Sequence, residues 1–246
     1  MIDRKTKAIV TGHSRGLGAA IAEALLERGI AVLGVSRSPD TSLQPRFPGL
    51  FEQAAVDLVD TGALARWLEG DALRGWIADC PVSLLVSNAG TLGPVGPLPT
   101  QDPAGIAKAV ALNVAAPLML AADFAESSVH SADRRIVHVS SGAGRNAYPG
   151  WAVYCATKAA LDHHARSVAL DRVPGLRICS LAPGVVDTGM QAEIRATPVE
   201  RFPHRERFVA LERDGALASP RDCARRLVEY LLDERFGAQA VADLRG

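Results

Sequence analysis

No charge of one sign dominates this sequence: 27 Lys and Arg face 27 Asp and Glu among 246 residues, and no basic block is present. Nucleic acid and an anionic membrane surface are therefore not expected as partners. Cysteine is scarce. Cys80, Cys155, Cys179 and Cys223 form no C-x-x-C pair, which excludes a thiolate metal site and a disulfide framework and points to buried thiols in a reducing compartment. His163 and His164 are adjacent, but no Cys or carboxylate cluster joins them, so no metal is expected. No apolar run reads as long enough to span a bilayer, and MIDRKTKAIV passes straight into a strand pattern, so neither a membrane span nor a signal peptide is expected. Repeats, low-complexity tracts and linkers are also missing. A cytoplasmic, single-domain chain over 1–246 is the reading.

What is present is an ordinary globular balance, 48% hydrophobic and 22% charged, in which short apolar runs alternate with helical patterns. Lys7-Ala8-Ile9-Val10 leads into Thr11-Gly12-His13-Ser14-Arg15-Gly16-Leu17-Gly18. A helix follows with Leu17, Ile21 and Leu25 inward and Glu23, Glu27 and Arg28 outward. Gly12 permits the tight turn, Gly16 lets backbone approach a pyrophosphate at the helix N-terminus, and Gly18 lets helix and sheet pack closely. The alternative is a glycine-rich turn with no ligand.

The second strand, Ile30–Val35, ends in Ser36-Arg37. A dinucleotide site for NAD places an acid there, for the ribose hydroxyl, whereas an Arg suits a 2′-phosphate. Arg15 is placed to assist from the glycine turn; for either Arg alone, a solvated surface charge is the alternative. Residues 38–50 carry three prolines and read as a loop. A third strand, Gln53–Val56, ends at Asp57-Leu58, where the acid either meets an adenine amino group or caps a helix. One helix is expected over 61–79, with Trp67 and Trp76 as packing residues. After a fourth strand, Val82–Val86, come the small residues Asn88, Ala89 and Gly90, which suit a backbone passing close to a cofactor. A long helical region with breaks near Pro103 and Pro117 holds Asn113 in an apolar pattern. Its amide is either a bridge to backbone or a link in a proton relay.

Ile136–Val139 reads as a buried strand, followed by Ser140, Ser141 and a glycine turn, then a helix from about Ala152. Tyr154 and Lys158 lie four apart and share one helix face. A cation beside a phenol, whose ordinary pKa is about 10, favours the phenolate. With a serine hydroxyl to hold a carbonyl oxygen, this is an acid/base arrangement for carbonyl–alcohol chemistry. A sixth strand, Arg177–Leu181, turns out through Pro183-Gly184. Residues 187–215 fit no simple period and read as a mobile helical lid. A last helix starts at Ser219-Pro220, and a short strand lies within Ala238–Leu244.

Thr11-Gly12-x-x-x-Gly16-x-Gly18, Asn88-Ala89-Gly90, Asn113, Ser141, Tyr154-x-x-x-Lys158 and Pro183-Gly184 come in an order and spacing that resembles the short-chain dehydrogenase/reductase family. Ser87 stands where many members carry a second Asn. Ser141 lies 13 residues before Tyr154, the family's spacing, which leaves Ser140 as structural. The resemblance implies a single-domain Rossmann-like α/β fold: a doubly wound parallel sheet of seven strands, order 3-2-1-4-5-6-7, with helices on both faces. It implies Asn113, Ser141, Tyr154 and Lys158 as catalytic residues and NADP(H) as cofactor. Ser14, Leu17, Leu58, Val186 and Thr188 join the residues above as cofactor contacts. A homodimer or homotetramer is also implied.

Within the family, Ser140-Ser141-Gly142-Ala143, Tyr148-Pro149-Gly150-Trp151, Tyr154-Cys155 and Val186-Asp187-Thr188-Gly189-Met190-Gln191 are similar to the sepiapterin reductase and bacterial benzil reductase subgroup. Sepiapterin reductases are expected to anchor the pterin with an acid near the C-terminus; Asp243 stands about two positions away from that place. The subgroup implies a small, aromatic ketone or diketone as substrate, with Trp151, Tyr148 and Met190 as pocket walls beside Ser141 and Tyr154. Two alternatives remain: a 3-oxoacyl thioester reductase, and a non-catalytic NADP(H)-binding sensor on the same fold.

Overall fold

A computed structural model describes residues 6–78 and 80–245. Seven parallel strands lie in the order β3-β2-β1-β4-β5-β6-β7. They are β1 Thr6–Thr11, β2 Ala31–Ser36, β3 Phe51–Ala55, β4 Val82–Ser87, β5 Asp133–Val139, β6 Leu176–Ala182 and β7 Val241–Asp243. The helices are α1 Gly16–Leu26, α2 Leu43–Arg46, α3 Thr61–Glu69, α4 Ala72–Ile77, α5 Pro103–Val110, α6 Ala116–Ser127, α7 Ala152–Leu170, α8 Gly189–Ala196, α9 Arg205–Arg213 and α10 Pro220–Leu232. The doubly wound parallel sheet implied by the resemblance is the fold of the chain.

Strands buried on both faces are apolar throughout, and neighbouring residues serve opposite layers. In β1, Ala8 and Val10 join the core under α1 and α10 (Ile21, Leu25, Leu227, Val228, Leu231), while Ile9 joins the other (Leu64, Leu120, Phe124, Ala165). β5 divides the same way, Val137 and Val139 on one side and Ile136 on the other. Chain order reverses between β1, which pairs with β2 on one side, and β4 on the other. The carboxyl ends of β1 and β4 thus border a crevice, the usual ligand position in such sheets.

Three helical expectations need correction. Residues 38–50, read as a loop, contain the short helix α2, Leu43–Arg46. The single helix over 61–79 is two, α3 and α4, because Gly70 leaves helical geometry at φ −79°, ψ 170°. Trp67 and Trp76 pack against the second core as expected. Pro103 does not break its helix but starts it, at the first helical position, with Asp102 capping the N–H groups of Ala104 and Gly105. Pro117 has no N–H to offer the Asn113 carbonyl four residues earlier, and the turn Ala111–Ala115 between α5 and α6 widens to a π-helix. Contrary to the expectation that no run is long enough, the 25-residue run Pro103–Ser127 is, by length and composition alone, long and apolar enough to cross a membrane. In the fold Ala116, Leu120, Ala121 and Phe124 pack it onto the sheet.

The segment 187–215 is helical, as expected, and it is anchored. Phe202 is fully buried, and Ile194 and Phe208 join it in a third apolar cluster with Leu92, Ala143, Trp151 and Tyr154. Gly150, at φ 81°, allows the close approach: a Cβ there would collide with the Arg201 carbonyl.

Candidate active site

A cleft of about 1130 Å³ opens over the carboxyl ends of the strands, lined at one end by the glycine turn and at the other by α8 and α9. At the nucleotide end, Thr11 Oγ1 accepts the N–H groups of Asn88 (2.9 Å) and Ala89 (3.0 Å), and Asn88 Nδ2 donates to the Thr11 carbonyl (3.0 Å). These bonds tie the end of β1 to the end of β4. Gly12 (φ 68°) and Gly16 (φ 58°) take left-handed conformations, and a Cβ on Gly18 would overlap the Gly12 carbonyl. The turn therefore needs glycine at all three places. Arg15 occupies the N-cap of α1 without a side-chain capping bond. The first N–H groups of that helix thus face the cleft uncapped, a ready anion site. This arrangement fits the pyrophosphate of a dinucleotide.

Arg15 and Arg37 are both exposed, line the cleft and pair with no group among the described residues. Ser36 also lines the cleft, and its hydroxyl donates to the Ser38 carbonyl at 2.6 Å, which shapes the turn carrying Arg37. Asp57 is not the helix cap, since Asp60 caps α3 through Ala63 N–H; Asp57 accepts Val59 N–H and lines the cleft beside Leu58.

His13 is a feature that reading along the chain did not assign. Its ring is 1% exposed, stacks edge-on against Phe51, and fills the space that a side chain at position 34 would need. Its Nε2 lies 2.8 Å from Gln53 Oε1. Gln53 exchanges two bonds with the backbone of Asp40, accepting its N–H (2.7 Å) and donating to its carbonyl (3.0 Å). That exchange orients the amide, so His13 Nε2 is the donor. The glycine turn is thereby linked to the loop that carries Arg37. Gly34, opposite the ring, was the legible sign: a glycine inside a strand marks close approach.

At the reactive end, Ser141, Tyr154 and Lys158 line one wall. Tyr154 is 6% exposed, and Lys158 Nζ stands 5.7 Å from its ring centroid. Lys158 also donates to the Val139 carbonyl at 2.8 Å. Burial pushes the phenol up to about 12, although a hydrogen bond with Ser141 opposes this. Burial pushes the lysine down to about 8, with Asp162 opposing. The expectation that Lys158 would make the phenol acidic is thus reversed here. Desolvation outweighs the cation, and Tyr154 stays protonated through the physiological range.

Ser140 is structural, as its spacing implied: its hydroxyl donates to Asp162 at 2.7 Å, as does that of Ser180. Asp162, 1% exposed, also receives Arg145 Nε at 3.1 Å. Asn113 lies behind the cleft and does not line it. Its Oδ1 accepts Thr91 N–H (2.8 Å), and its Nδ2 donates to the Thr91 carbonyl (2.8 Å) and Thr157 Oγ1 (3.2 Å). Both amide hydrogens are used, so the side chain is a clamp between the β4 loop and α7.

At the far end, Trp151 stacks on Phe202 at 4.4 Å and 7°, meets Tyr154 edge-on at 5.5 Å, and touches Phe208 and Tyr148. Met190 Sδ is 4.0 Å from the Tyr154 hydroxyl. Pro183, Gly184, Val186 and Thr188 complete the floor. Asp243 does not line the cleft; Arg245 does. Arg245 binds Asp243 through Nε (2.9 Å) and one terminal nitrogen (2.7 Å), and these bonds hold the Asp243 carboxyl below its usual range. Among the described residues, no group of three or more His, Cys, Asp or Glu could hold a metal.

The model of the short chain dehydrogenase family matches residues 6–199. A benzil reductase, (S)-benzoin forming, of Bacillus cereus is 36% identical over 236 residues, covering 93% of this chain and 94% of that protein. The sepiapterin reductase of Bos taurus is 30% identical over 260 residues, covering 97% and 94%. A crystal structure of a short-chain dehydrogenase/reductase from Burkholderia vietnamiensis is 50% identical, covers 98% of both chains and superposes with a TM-score of 0.73. The glycine turn, the Ser/Tyr/Lys wall, the strand order and these likenesses agree: the chain belongs to the short-chain dehydrogenase/reductase family of oxidoreductases.

Proposed function

We propose that this chain is an NADPH-dependent carbonyl reductase acting on a small aromatic ketone or diketone. The observation that carries the reading is a buried phenol, held protonated beside Ser141 and a lysine, in the same cleft as an uncapped helix N-terminus. When bound, NADPH supplies the hydride. Tyr154 gives its proton to the carbonyl oxygen as that oxygen becomes alkoxide, and Ser141 hydrogen-bonds the same oxygen. The balance is ketone, NADPH and one proton to alcohol and NADP⁺.

Lys158, fixed by the Val139 carbonyl, would hold ribose hydroxyls, and the uncapped N–H groups of α1 the pyrophosphate. Arg15 and Arg37 would hold the 2′-phosphate. Asn113 is a positioning residue that keeps the Thr91 loop against α7. The aromatic wall of Trp151, Phe208 and Tyr148 suits an aryl substrate, and the relatives named for benzil and sepiapterin point the same way. Tyr154→Phe removes only the proton donor. It should lower kcat by roughly 10²–10⁴-fold while leaving NADPH affinity within about twofold. A variant that kept more than about a tenth of wild-type kcat with benzil would remove Tyr154 from this role.

A further inference from the structure

The substrate end of the cleft carries cations that the chemistry above does not use. Arg245 lies across two glycines: its side-chain carbons would be 3.5 Å from a Cβ on Gly184, and a terminal nitrogen 3.8 Å from one on Gly142. Gly142 follows Ser141, so the guanidinium stands beside the backbone of the turn that carries that serine. It is pre-set. Asp243 grips two of its nitrogens, and Asp243 is itself held by Arg145 (3.7 Å), which is rooted on buried Asp162 and on the Ala242 carbonyl. Of its five N–H groups, the two bonds to Asp243 leave three free. Arg207, on α9, lines the same cleft and has no side-chain partner among the described residues. Glu193 is the acid that lines this end; it is exposed, so its repulsion is screened.

Resting on the reductase reading, we infer that Arg245, supported by Arg207, is a substrate-binding residue that recognises an anionic group, and that the preferred substrates are aromatic ketones bearing a carboxylate. A guanidinium meets a carboxylate with parallel hydrogen bonds that a neutral ester matches poorly. A donor-rich heterocycle would need the acid, and Asp243 is turned away and neutralised by Arg245.

The test compares phenylglyoxylate with its methyl ester, the same ketone with and without charge, using NADPH as reductant. Wild type should favour the acid in kcat/KM. In Arg245→Gln the acid-to-ester ratio should fall about tenfold, modest because the guanidinium is half exposed, mainly through KM of the acid. Arg245→Lys should recover part of the ratio. A wild type that prefers the ester, or a ratio unmoved in R245Q, overturns the inference. So does a variant in which only KM for NADPH rises, because Arg245 then belongs to the cofactor. If neither ketone is turned over but benzil is, the inference falls and the reductase stands; if none is, the reductase reading itself falls. Calorimetric titration of phenylglyoxylate in the presence of NADP⁺ decides the anion site independently of turnover, by tighter binding to wild type than to R245Q.

Discussion

The two ends of the cleft are built on different principles. The nucleotide end is backbone held by short polar side chains and glycines: Thr11 Oγ1 and Asn88 Nδ2 bond main-chain groups across the β1–β4 border, and three glycines let the turn close. The substrate end is side chain on side chain, with Trp151, Phe202, Phe208 and Ile194 packing residues that lie up to 57 positions apart in the chain. Backbone geometry admits few residue types, so the first end is strict. Apolar packing admits many, so the second can change its ligand while the fold stays.

Cutting into the substrate end should produce the largest effect on stability. Phe202 is fully buried and stacked on Trp151. Phe202→Ala should cost about 3–5 kcal/mol and loosen α8 and α9. In urea unfolding the midpoint should fall, and the ranking of ketones by kcat/KM should change while KM for NADPH stays near wild type. Equal losses on every ketone and on the cofactor would show that the two ends are not separable.

The nucleotide end answers to charge. Wild type should prefer NADPH to NADH, since charge-assisted bonds from a guanidinium to a 2′-phosphate contribute roughly 10–100-fold in discrimination. Arg37→Asp should lower kcat/KM for NADPH by that order and improve NADH, by offering an acceptor to the ribose hydroxyl. A wild type indifferent to the phosphate, or a variant whose cofactor ratio is unchanged, would refute the role of Arg37. His13→Ala should shift the same ratio by a few-fold without touching the phosphate, because it cuts the link through Gln53 to the loop after Arg37. If the ratio stays put while the melting temperature falls, His13 is a packing residue and nothing more.

How much was legible in the sequence follows the same division. Gly12, Gly16, Gly18, Asn88, Tyr154 and Lys158 act at short, rigid spacings, so reading along the chain was enough to place them. All seven strands were found, the central ones β1, β2 and β4 because runs buried on both faces are continuous and apolar. Residues whose partners are distant in sequence were missed or misjudged. Arg245 reaches the site only because β7 pairs beside β6. The side-chain partners of Asn113, Thr91 and Thr157, are likewise invisible in its neighbours along the chain. The phenol was expected to be acidic because a cation four residues away is visible in a sequence, whereas desolvation by Trp151, Leu92 and Ala143 is not. The break at Gly70 was visible and was outweighed by the helical pattern on both sides.

Lys158 belongs to both ends, and its titration gives the finest test of the comparison. Burial sets its pKa at about 8, against about 10.5 for the unfolded chain. Below pH 8 the ammonium is charged and, on the proposed reading, would hold the ribose; as pH rises through 8 that charge is lost, and KM for NADPH should climb, about twofold at the midpoint. Stability moves the opposite way. Between pH 8 and 10.5 the unfolded chain binds more protons at this residue than the folded one, so the group's contribution to unfolding free energy rises with pH, by up to roughly 3 kcal/mol across the window. Wild type should therefore show weakening cofactor binding in the same range where urea unfolding, compared with Lys158→Met, shows a gain in relative stability. Should both quantities stay flat between pH 8 and about 10, the lysine is charged throughout, burial does not govern it, and the reactive wall is wetter than its packing implies.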